Sequence, residues 1–291
     1  MPEPIRDSHA QTVEDRSFVF EDRDFRRVCR MIHDRAGIHL GAHKRDMVYS
    51  RLVRRLRACG VERFSDYLDL VENDAGEEDQ NFVNALTTNL TSFFREAHHF
   101  PLLATQLQAA YRGGPPLQVW CCAASTGEEP WSLAITACEA FDTLTPPVRI
   151  LATDIDTNVL QAAARGTYPL ERIDAIETPR KRRFFQRGAG ANAGLCRVRP
   201  ELRALVEFRA LNLLDADYRL KPGAWSAVFC RNVMIYFDKP TQYGVLQRIA
   251  PLLTDEGRLY TGHSESFNHA ADLVSPCGRT VYRAATRAGA G

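Results

Sequence analysis

A chain of 291 residues that is 45% hydrophobic can form one large domain or two modest ones around a sizeable core. Its formal net charge of +1 gives no bulk attraction to nucleic acid or to a membrane surface. The eight cysteines include no C-x-x-C pair and no array with histidine, so no metal site is expected. No apolar run is long enough to span a membrane, and the N-terminus lacks a signal-like apolar core. We therefore expect a cytoplasmic protein without membrane insertion, with reduced thiols.

The first third of the chain has a helical pattern. Residues 1–17 are polar and aperiodic, and we interpret them as a flexible leader. Apolar residues then recur at three- and four-residue spacing in four segments, at about 21–36, 43–59, 64–71 and 78–90. Residues 18–90 are thus predicted to form a small all-helical N-terminal domain.

The second of these helices is strongly basic, with only Asp46 opposing its positive charge. In a neutral chain such clustering favours a docking surface for an acidic partner over a merely solvated face. Nucleic acid and an acidic protein helix are both candidates, although few aromatic residues are interleaved to stack on bases. The basic residues of this predicted docking surface are Lys44, Arg45, Arg51, Arg54, Arg55 and Arg57.

A segment rich in hydroxyl and amide side chains follows, Thr87-Thr-Asn-Leu-Thr-Ser-Phe-Phe-Arg-Glu96. It is a poor helix sequence between two better ones. Thr91 or Ser92 can cap a helix that starts near Phe93. Asn89 and Arg95 have no such structural explanation and are candidates for ligand contact. An amphipathic helix is predicted next, from about residue 100 to 111.

Residues 117–135 have the pattern of a strand, a turn of small residues and a helix, which begins a βαβ unit. Small residues at 123–127 let a ligand approach the main chain, and the helix start offers unpaired N–H groups. Only Gly127 is a glycine, so the dinucleotide fingerprint is absent. Glu128 and Glu129 favour a cationic or hydroxyl-rich ligand over a phosphate, although acids are also common in a first helical turn.

An apolar strand at residues 148–154 ends in Asp154, 27 residues after Gly127. An acid at the end of the second strand of a βαβ unit commonly accepts hydrogen bonds from both hydroxyls of a ribose. Asp154 is therefore a ligand candidate. Asp156 is better explained as the N-cap of the helix that follows.

Residues 166–208 interrupt the alternation of strands and helices. We interpret them as a small antiparallel insertion whose hairpin loop is the glycine-rich segment 188–194, and whose strands include Leu205–Phe208. Such an insertion can fill out a crossover, or it can offer an edge strand for peptide addition.

The last part of the chain returns to an alternating α/β pattern. Asn212 and Leu213 follow a strand, and Arg231 and Asn232 come directly after a buried parallel strand at 227–230. Carboxyl ends of such strands line the ligand crevice of doubly wound sheets, where a buried arginine and asparagine are costly unless they serve a site. A helix from 238 to about 253 and strands at 257–262 and 279–283 complete the pattern. The tail, residues 285–291, is expected to fray.

Five ordered motifs resemble those of the bacterial chemotaxis receptor methyltransferases of the CheR type, and the resemblance spans residues 20–284. They are Thr88-Asn-Leu-Thr-Ser-Phe-Phe-Arg-Glu96, Ala123-Ala-Ser-Thr-Gly-Glu-Glu-Pro130, Ala152-Thr-Asp-Ile-Asp156, Cys230-Arg-Asn-Val-Met-Ile-Tyr-Phe-Asp238 and Gly262-His-Ser-Glu265.

The resemblance implies an α/β fold: a doubly wound, Rossmann-like methyltransferase sheet with an inserted small antiparallel β-subdomain, preceded by a small all-α domain. It implies a receptor-docking domain at 18–90 and an S-adenosyl-L-methionine-dependent domain at 91–284, with the insertion at about 168–208. The enzyme would be a protein-glutamate O-methyltransferase that esterifies glutamates of the cytoplasmic helical region of chemoreceptors and leaves S-adenosyl-L-homocysteine. In some members the β-subdomain tethers a C-terminal receptor peptide, and the loop at 188–190 resembles theirs. A monomer is expected.

The family's cofactor-binding residues map onto nine positions: Asn89, Thr91, Arg95, Glu129, Asp154, Asn212, Leu213, Arg231 and Asn232. Asp154 would hold the ribose, Glu129 would face the cationic half of the cofactor, and Asn212 and Leu213 would flank the adenine. Spacing favours Glu129 over Glu128 for this contact.

Catalysis would rest on positioning, because a glutamate carboxylate is already ionised at neutral pH, with an unperturbed pKa of about 4.3. The candidate positioning residues are Arg95, Tyr236 and Arg231. A core aromatic with a satisfied hydroxyl is the alternative role for Tyr236.

Two other functions are compatible with the sequence. A nucleic-acid methyltransferase would use the basic helix as its footprint and bind less tightly at high salt. A non-catalytic regulator would bind the cofactor without turnover. A dehydrogenase is disfavoured, because the glycine-rich pyrophosphate turn is absent.

Overall fold

The computed structural model describes residues 18–74 and 76–285. The predicted leader at 1–17 and positions 286–291 of the predicted tail lie outside this range. By its contacts the chain divides into two units, Met1–Met31 with Leu40–Leu86, and Ile32–His39 with Thr87–Gly291. None of the helices among the described residues is both long and apolar enough to cross a membrane.

The first unit is helical, as predicted. Its helices are α1 (Asp22–Ala36, whose last turn belongs to the second unit), α2 (Arg45–Cys59), α3 (Phe64–Asn73) and α4 (Glu77–Leu86). A short 3-10 turn, Ala42–Lys44, precedes α2, and Gly60 ends it with a φ of 67°. The apolar stripes of these helices meet in a core that includes Val48, Leu52, Leu56, Phe64, Leu68 and Phe82.

Helix α4 ends at Leu86, so the expectation that it reaches residue 90 was wrong. Leu90 is 79% exposed and contributes nothing to a buried stripe. The expected helix near Phe93 is also absent, since Phe94 and Glu96 have positive φ angles of 53° and 55°. The next helix, α5, spans His99–Ala110.

The second unit is built on a seven-stranded sheet. Its parallel strands are β1 (Leu117–Cys121), β2 (Val148–Asp154), β6 (Val206–Ala210), β7 (Trp225–Cys230) and β8 (Leu253–Thr261). Strands β9 (Val274–Gly278) and β10 (Val281–Ala284) are antiparallel, and the order is β6-β2-β1-β7-β8-β10-β9. The crossover helices are α6 (Glu128–Ala140), α7 (Thr157–Arg165) and α10 (Lys239–Ile249).

The two faces of this sheet carry separate apolar layers because successive side chains of a strand point in opposite directions. Cys121 packs in one layer with Trp131 and Phe229, whereas Cys122 packs in the other with Trp120. The eight cysteines are free thiols, which agrees with the expectation for Cys121 and Cys122.

The insertion is a three-stranded antiparallel sheet in the order β3-β5-β4, which confirms the predicted fold class. Its strands are β3 (Thr167–Pro169), β4 (Phe185–Arg187) and β5 (Leu195–Val198), with helices α8 (Thr178–Phe184) and α9 (Pro200–Arg203). The glycine-rich loop at 188–194 joins β4 to β5, as predicted. Leu205–Phe208 was wrongly assigned to this insertion, because Val206–Ala210 pairs in parallel with β2 as an edge strand of the main sheet.

Strand β1 lies between β2 and β7, and the chain crosses over in opposite directions on its two sides. Ligands of open α/β sheets bind at such a switch point, outside the carboxyl ends of the strands. The segments that follow β1, β2 and β7 therefore form the candidate site.

Candidate active site

The turn between β1 and α6 requires a glycine. Gly127 has a φ of 101°, which side-chain-bearing residues rarely adopt. A Cβ atom there would also lie 2.6 Å from the hydroxyl oxygen of Tyr168 and 2.9 Å from the Cα of Ala163. Ser125 in the same turn adds a second positive φ, of 48°.

Asp154 ends β2 against this turn and is only 7% exposed. Its carboxylate accepts hydrogen bonds from the backbone N–H of Ser125 at 2.8 Å and of Asp156 at 2.9 Å. Burial raises the pKa of Asp154 to about 6, although these two hydrogen bonds act in the opposite direction. The structure thus holds a buried carboxylate at the predicted position. Asp156 caps α7 through the N–H groups of Asn158 and Val159, as predicted.

The two glutamates of the turn have different environments. Glu128 is fully buried; its carboxylate accepts from Thr126 Oγ1 at 2.6 Å and pairs with Arg172 of the insertion. Glu129 faces the ends of the strands, where its Oε2 lies 3.0 Å from Nη1 of Arg231 and its Oε1 accepts from Cys121 Sγ at 3.2 Å. Burial raises the pKa of Glu129, and the charge of Arg231 opposes this shift. Glu128 is committed to a structural ion pair, so Glu129 is the better candidate for ligand contact.

Arg231 follows β7 and is the centre of a buried charge cluster. Its guanidinium lies between Glu129 and Glu96, whose Oε2 is 3.7 Å from Nη2, and it also donates to the backbone oxygen of Arg95. Among the described residues, Nε of Arg231 and Oε2 of Glu96 have no hydrogen-bond partner, and Nη1 of Arg231 contacts Glu129 as an ion pair. Buried polar atoms normally have partners, so the unpaired Nε of Arg231 is a candidate group for ligand contact.

Glu96 binds three further groups. Its Oε1 lies 3.0 Å from Nδ1 of His263, and it accepts from the His263 backbone N–H and from Nδ2 of Asn232, both at 3.3 Å. Burial raises the pKa of Glu96, but the hydrogen bond from His263 and the charge of Arg231 outweigh it, so the net shift is downward. His99 is buried next to this cluster. Burial lowers the pKa of its imidazole to about 3, so the ring is neutral at physiological pH.

The predicted residues Asn89, Thr91 and Arg95 lie on the irregular segment between α4 and α5. Nδ2 of Asn89 donates to Asp156 at 2.8 Å, and its backbone oxygen accepts from Ser125 Oγ at 3.0 Å. The Thr91 backbone oxygen accepts from Arg172 at 3.4 Å. The Arg95 side chain donates to the Leu90 oxygen at 2.9 Å, while its own carbonyl accepts from Arg231. Asn89 and Arg95 thus bring this segment to the ends of β2 and β7.

The remaining candidates follow β6 and β7. The Asn212 side chain is occupied at both ends, donating to the Arg35 oxygen at 2.6 Å and accepting from the Leu214 N–H at 2.9 Å. Leu213 is buried, and Asn232, with a φ of 56°, stands beside Arg231. Tyr236 is half-buried in a 3-10 turn, Met234–Tyr236, and its carbonyl accepts from the His39 N–H at 2.9 Å.

The six basic residues of the predicted docking surface, five on α2 and Lys44 just before it, divide into two groups. Arg45 and Arg55 are half-buried and form ion pairs, with Asp22 and Glu78 respectively, and Arg51 donates to the Ala85 oxygen. Tyr67 also donates to Glu78, at 2.8 Å, so the Arg55–Glu78 pair belongs to the helical core. Lys44, Arg54 and Arg57 are exposed.

Sequence reasoning assigned no role to Glu96, Arg172, His263 or Glu265. Most of their partners lie 31 to 167 residues away in the chain, as in the bonds between Glu265 and Met234 and between Glu96 and His263. Periodicity carries no information about such contacts. The available signal was that Glu96 and Glu265 each close one of the quoted motifs.

The switch-point topology, the acid at the end of β2 and an acid-bearing turn in place of a glycine-rich phosphate loop match the pattern of an S-adenosylmethionine-dependent methyltransferase. Residues 89–283 match the sequence model of the SAM-binding domain of CheR methyltransferases, and residues 23–87 match the model of their all-alpha domain.

Curated relatives match over nearly the whole chain. Chemotaxis protein methyltransferase 2 of Pseudomonas aeruginosa is 52% identical over 265 residues, which are 91% of this chain and 94% of the relative. The chemotaxis protein methyltransferase of Salmonella typhimurium is 51% identical over 265 residues, 91% of either chain. The chemotaxis protein methyltransferase of Escherichia coli is 50% identical over the same shares of both chains. The chain belongs to the CheR methyltransferase family, and its cofactor is S-adenosyl-L-methionine.

Proposed function

We propose that this protein methylates glutamate side chains of chemoreceptors, forming the methyl esters used in chemotactic adaptation, in the cytoplasm and as a monomer. The main structural support is the Arg231–Glu129 ion pair at the ends of β7 and β1, where the buried Nε of Arg231 has no hydrogen-bond partner among the described residues. An amino-acid cofactor presents an ammonium and a carboxylate, which match a buried acid and a buried arginine. The names of the relatives support the chemotactic role.

The residues present fit this cofactor. Asp154 would accept hydrogen bonds from the ribose hydroxyls, and Glu129 would face the cationic amino-acid half while Arg231 and Arg95 hold its anionic end. Leu213 would supply the apolar wall for adenine. Asn212 would act through its backbone, because its side chain already closes the 212–214 turn. Asn89, Thr91 and Asn232 would complete the pocket.

When bound, the cofactor supplies a methyl group on a sulfonium centre, which an ionised carboxylate can attack directly. No side chain has to remove a proton from the substrate, so the protein's task is alignment and exclusion of water. Arg95 and Tyr236 would orient the substrate carboxylate, with Arg231 between it and Glu129. A strong ion pair with the substrate carboxylate would make that carboxylate a weaker nucleophile. We therefore expect its contacts with the protein to be weak and partly exposed.

The domain assignment forms part of the proposal. Residues 18–90 would dock on the helical cytoplasmic region of the receptor and residues 91–284 would carry the chemistry. The insertion would be available to a C-terminal receptor peptide.

The decisive experiment is transfer of a labelled methyl group to receptor-containing membranes, followed by alkaline hydrolysis. Glutamate methyl esters release labelled methanol in base, whereas N-methyl groups on nucleic acid do not. Absence of alkali-labile label on every receptor tested would contradict the proposal. Label in added RNA or DNA would favour a nucleic-acid methyltransferase, and cofactor binding without any transfer would favour a regulator.

The exposed basic residues of α2 give a separable prediction. The double variant Arg54→Glu and Arg57→Glu should lower receptor methylation at subsaturating receptor by about tenfold, since reversal of two charges opposes an acidic partner. Affinity for S-adenosylhomocysteine should stay within about twofold of wild type by calorimetry. Arg55 is left intact because its pair with Glu78 stabilises the helical unit.

The matched control is Arg26→Glu with Arg30→Glu, an equal charge reversal at two exposed positions of α1. This control should methylate receptors at close to the wild-type rate. Equal losses in both double variants would mean that overall charge, and not the α2 surface, governs receptor encounter.

A further inference from the structure

The carboxylate of Glu265 lies just after β8 and accepts four backbone N–H groups. Its Oε2 accepts from Asn232 at 3.1 Å and from Gly262, and its Oε1 accepts from Val233 at 3.1 Å and Met234 at 2.9 Å. The side chain thus ties the loop that follows β7 to the end of β8. Three consecutive N–H groups of that loop, at 232–234, are directed at one carboxylate.

This arrangement requires both carboxylate oxygens of Glu265 to act as hydrogen-bond acceptors. Glu265 is 6% exposed, so no bulk water replaces a lost acceptor for these N–H groups. Burial raises the pKa of Glu265, while the four N–H groups stabilise its ionised form. Charge-assisted hydrogen bonds of this kind are stronger than neutral ones, which suits a loop that must be held in one conformation.

The loop held by Glu265 is strained and carries site residues. Asn232 has a left-handed φ of 56°, and its side chain reaches Glu96 of the buried charge cluster. Arg231 immediately precedes it, and Tyr236 lies four residues further on. A non-glycine residue in this region persists only where its surroundings over-determine it.

Gly262 packs against the same loop from the other side. A Cβ atom at Gly262 would lie 2.4 Å from Nδ2 of Asn232, and 3.0 Å both from the Asn232 backbone nitrogen and from Oε2 of Glu265. The backbone nitrogen cannot move away without breaking its bond to Glu265. Gly262 and Glu265 therefore both constrain the position of Asn232.

We propose that Glu265 is a positioning residue of the cofactor site, which sets the conformation of the 231–234 loop and thereby places Arg231 and Asn232. This inference rests on the proposed cofactor roles of those two residues. It does not depend on the substrate, so it can be tested by cofactor binding even if no receptor is methylated.

The first variant is Glu265→Gln. It keeps the size of the side chain and one acceptor oxygen, but places an NH₂ group against two N–H donors. We expect the Kd for S-adenosylhomocysteine to rise at least about tenfold, the loss associated with charge-assisted hydrogen bonds. The kcat for methyl transfer should fall as well, while the KM for receptor stays within about twofold. The control is Glu256→Gln, an exposed position on β8, with unchanged binding.

The second variant, Gly262→Ala, keeps the Glu265 side chain but crowds Nδ2 of Asn232 and Oε2 of Glu265, and should weaken binding in the same direction. Its control is Gly244→Ala in α10, where an added Cβ would make only an ordinary contact, 3.7 Å from Arg248. Binding is measured by calorimetry well below the unfolding temperature of each variant, so that reduced stability alone leaves Kd unchanged.

A folded Glu265→Gln protein with a Kd within twofold of wild type would overturn the proposal. If that variant does not fold, a folded Gly262→Ala protein with wild-type affinity overturns it and one with tenfold weaker affinity supports it. Failure of both variants to fold would also overturn it, since Glu265 would then be a determinant of the fold. Wild-type protein that binds cofactor but esterifies no receptor would contradict the proposed function and leave this comparison intact.

Discussion

Asparagine in place of Asp154 is expected to raise the Kd for S-adenosylhomocysteine by about 10- to 100-fold, the largest single effect on binding. The substitution removes the charge that would accept both ribose hydroxyls, a contribution of about 1.5–3 kcal/mol for hydrogen bonds to a charged group. It also places an amide NH₂ against the N–H of Ser125 or Asp156, both of which now donate to the carboxylate.

Calorimetric titration of folded protein at pH 7.5 measures this effect. Asp255→Asn, an exposed position on β8, is the matched control and should bind as wild type does. Unchanged affinity in Asp154→Asn would show that Asp154 serves the turn alone.

The raised pKa of Asp154 adds a pH dependence with a definite sign. The ionised form is the one that accepts ribose hydroxyls, and in the free protein it is half-populated at about pH 6. Affinity should therefore hold at pH 7 to 8 and weaken by roughly tenfold at one unit below the pKa. The Asp154→Asn variant should lose most of this dependence. A wild-type affinity that does not change between pH 5 and 8 would contradict this expectation.

The raised pKa of Asp154 has the opposite effect on the stability of the fold, which decreases as pH rises. An unfolded aspartate has a pKa of about 3.9, so the folded state retains this proton more tightly and loses stability as pH rises from about 4 to 6. Cofactor binding near pH 6 should then release a proton. Calorimetry in buffers of different ionisation enthalpy measures that release.

The largest expected loss of stability is that of Arg231→Met, about 3–5 kcal/mol in the free energy of unfolding. The Arg231 side chain is fully buried, and its removal leaves Glu129 and Glu96 buried without their shared cation. Truncating one partner of a buried charge cluster costs more than the pair contributes, because the remaining charges keep their desolvation penalty.

Urea unfolding of the single and double variants tests this account. Adding Glu129→Gln to Arg231→Met removes one uncompensated charge, so the double variant should be more stable than Arg231→Met alone. Arg283→Met, at an exposed position on β10, should change stability by no more than about 0.5 kcal/mol. A loss below about 1 kcal/mol for Arg231→Met would mean that water reaches the cluster.

Local sequence patterns were sufficient to predict many of the helices, strands and candidate site residues of this protein. Apolar spacing predicted the helices of the first unit, and apolar runs predicted the strands observed at 117–121, 148–154 and 225–230, the last of them from residue 227 onward. The capping role of Asp156 follows from its position before a helix, and Asp154 follows from its place at a strand end. These features depend on residues within a few positions of each other, so a linear pattern can reveal them.

Local patterns failed where an element's state depends on distant partners. A short apolar run such as Leu205–Phe208 has the same pattern in an antiparallel hairpin and in a parallel sheet. Its assignment to the main sheet follows from its pairing with β2, more than 50 residues away in the chain. The segment after α4 likewise stays extended while Thr87 and Asn89 bond to Asp156 across the unit.

By itself, the sequence determined the family, most of the helices and strands of the two units, and the strand ends at which polar residues gather. Tertiary structure alone decided what those residues do there. It paired Glu128 with Arg172 and Glu129 with Arg231, occupied the Asn212 side chain, and split the α2 arginines into core pairs and exposed charges. The physical reason is that a charge or amide acquires its role from the buried partner it meets, and folding brings that partner from a remote part of the chain.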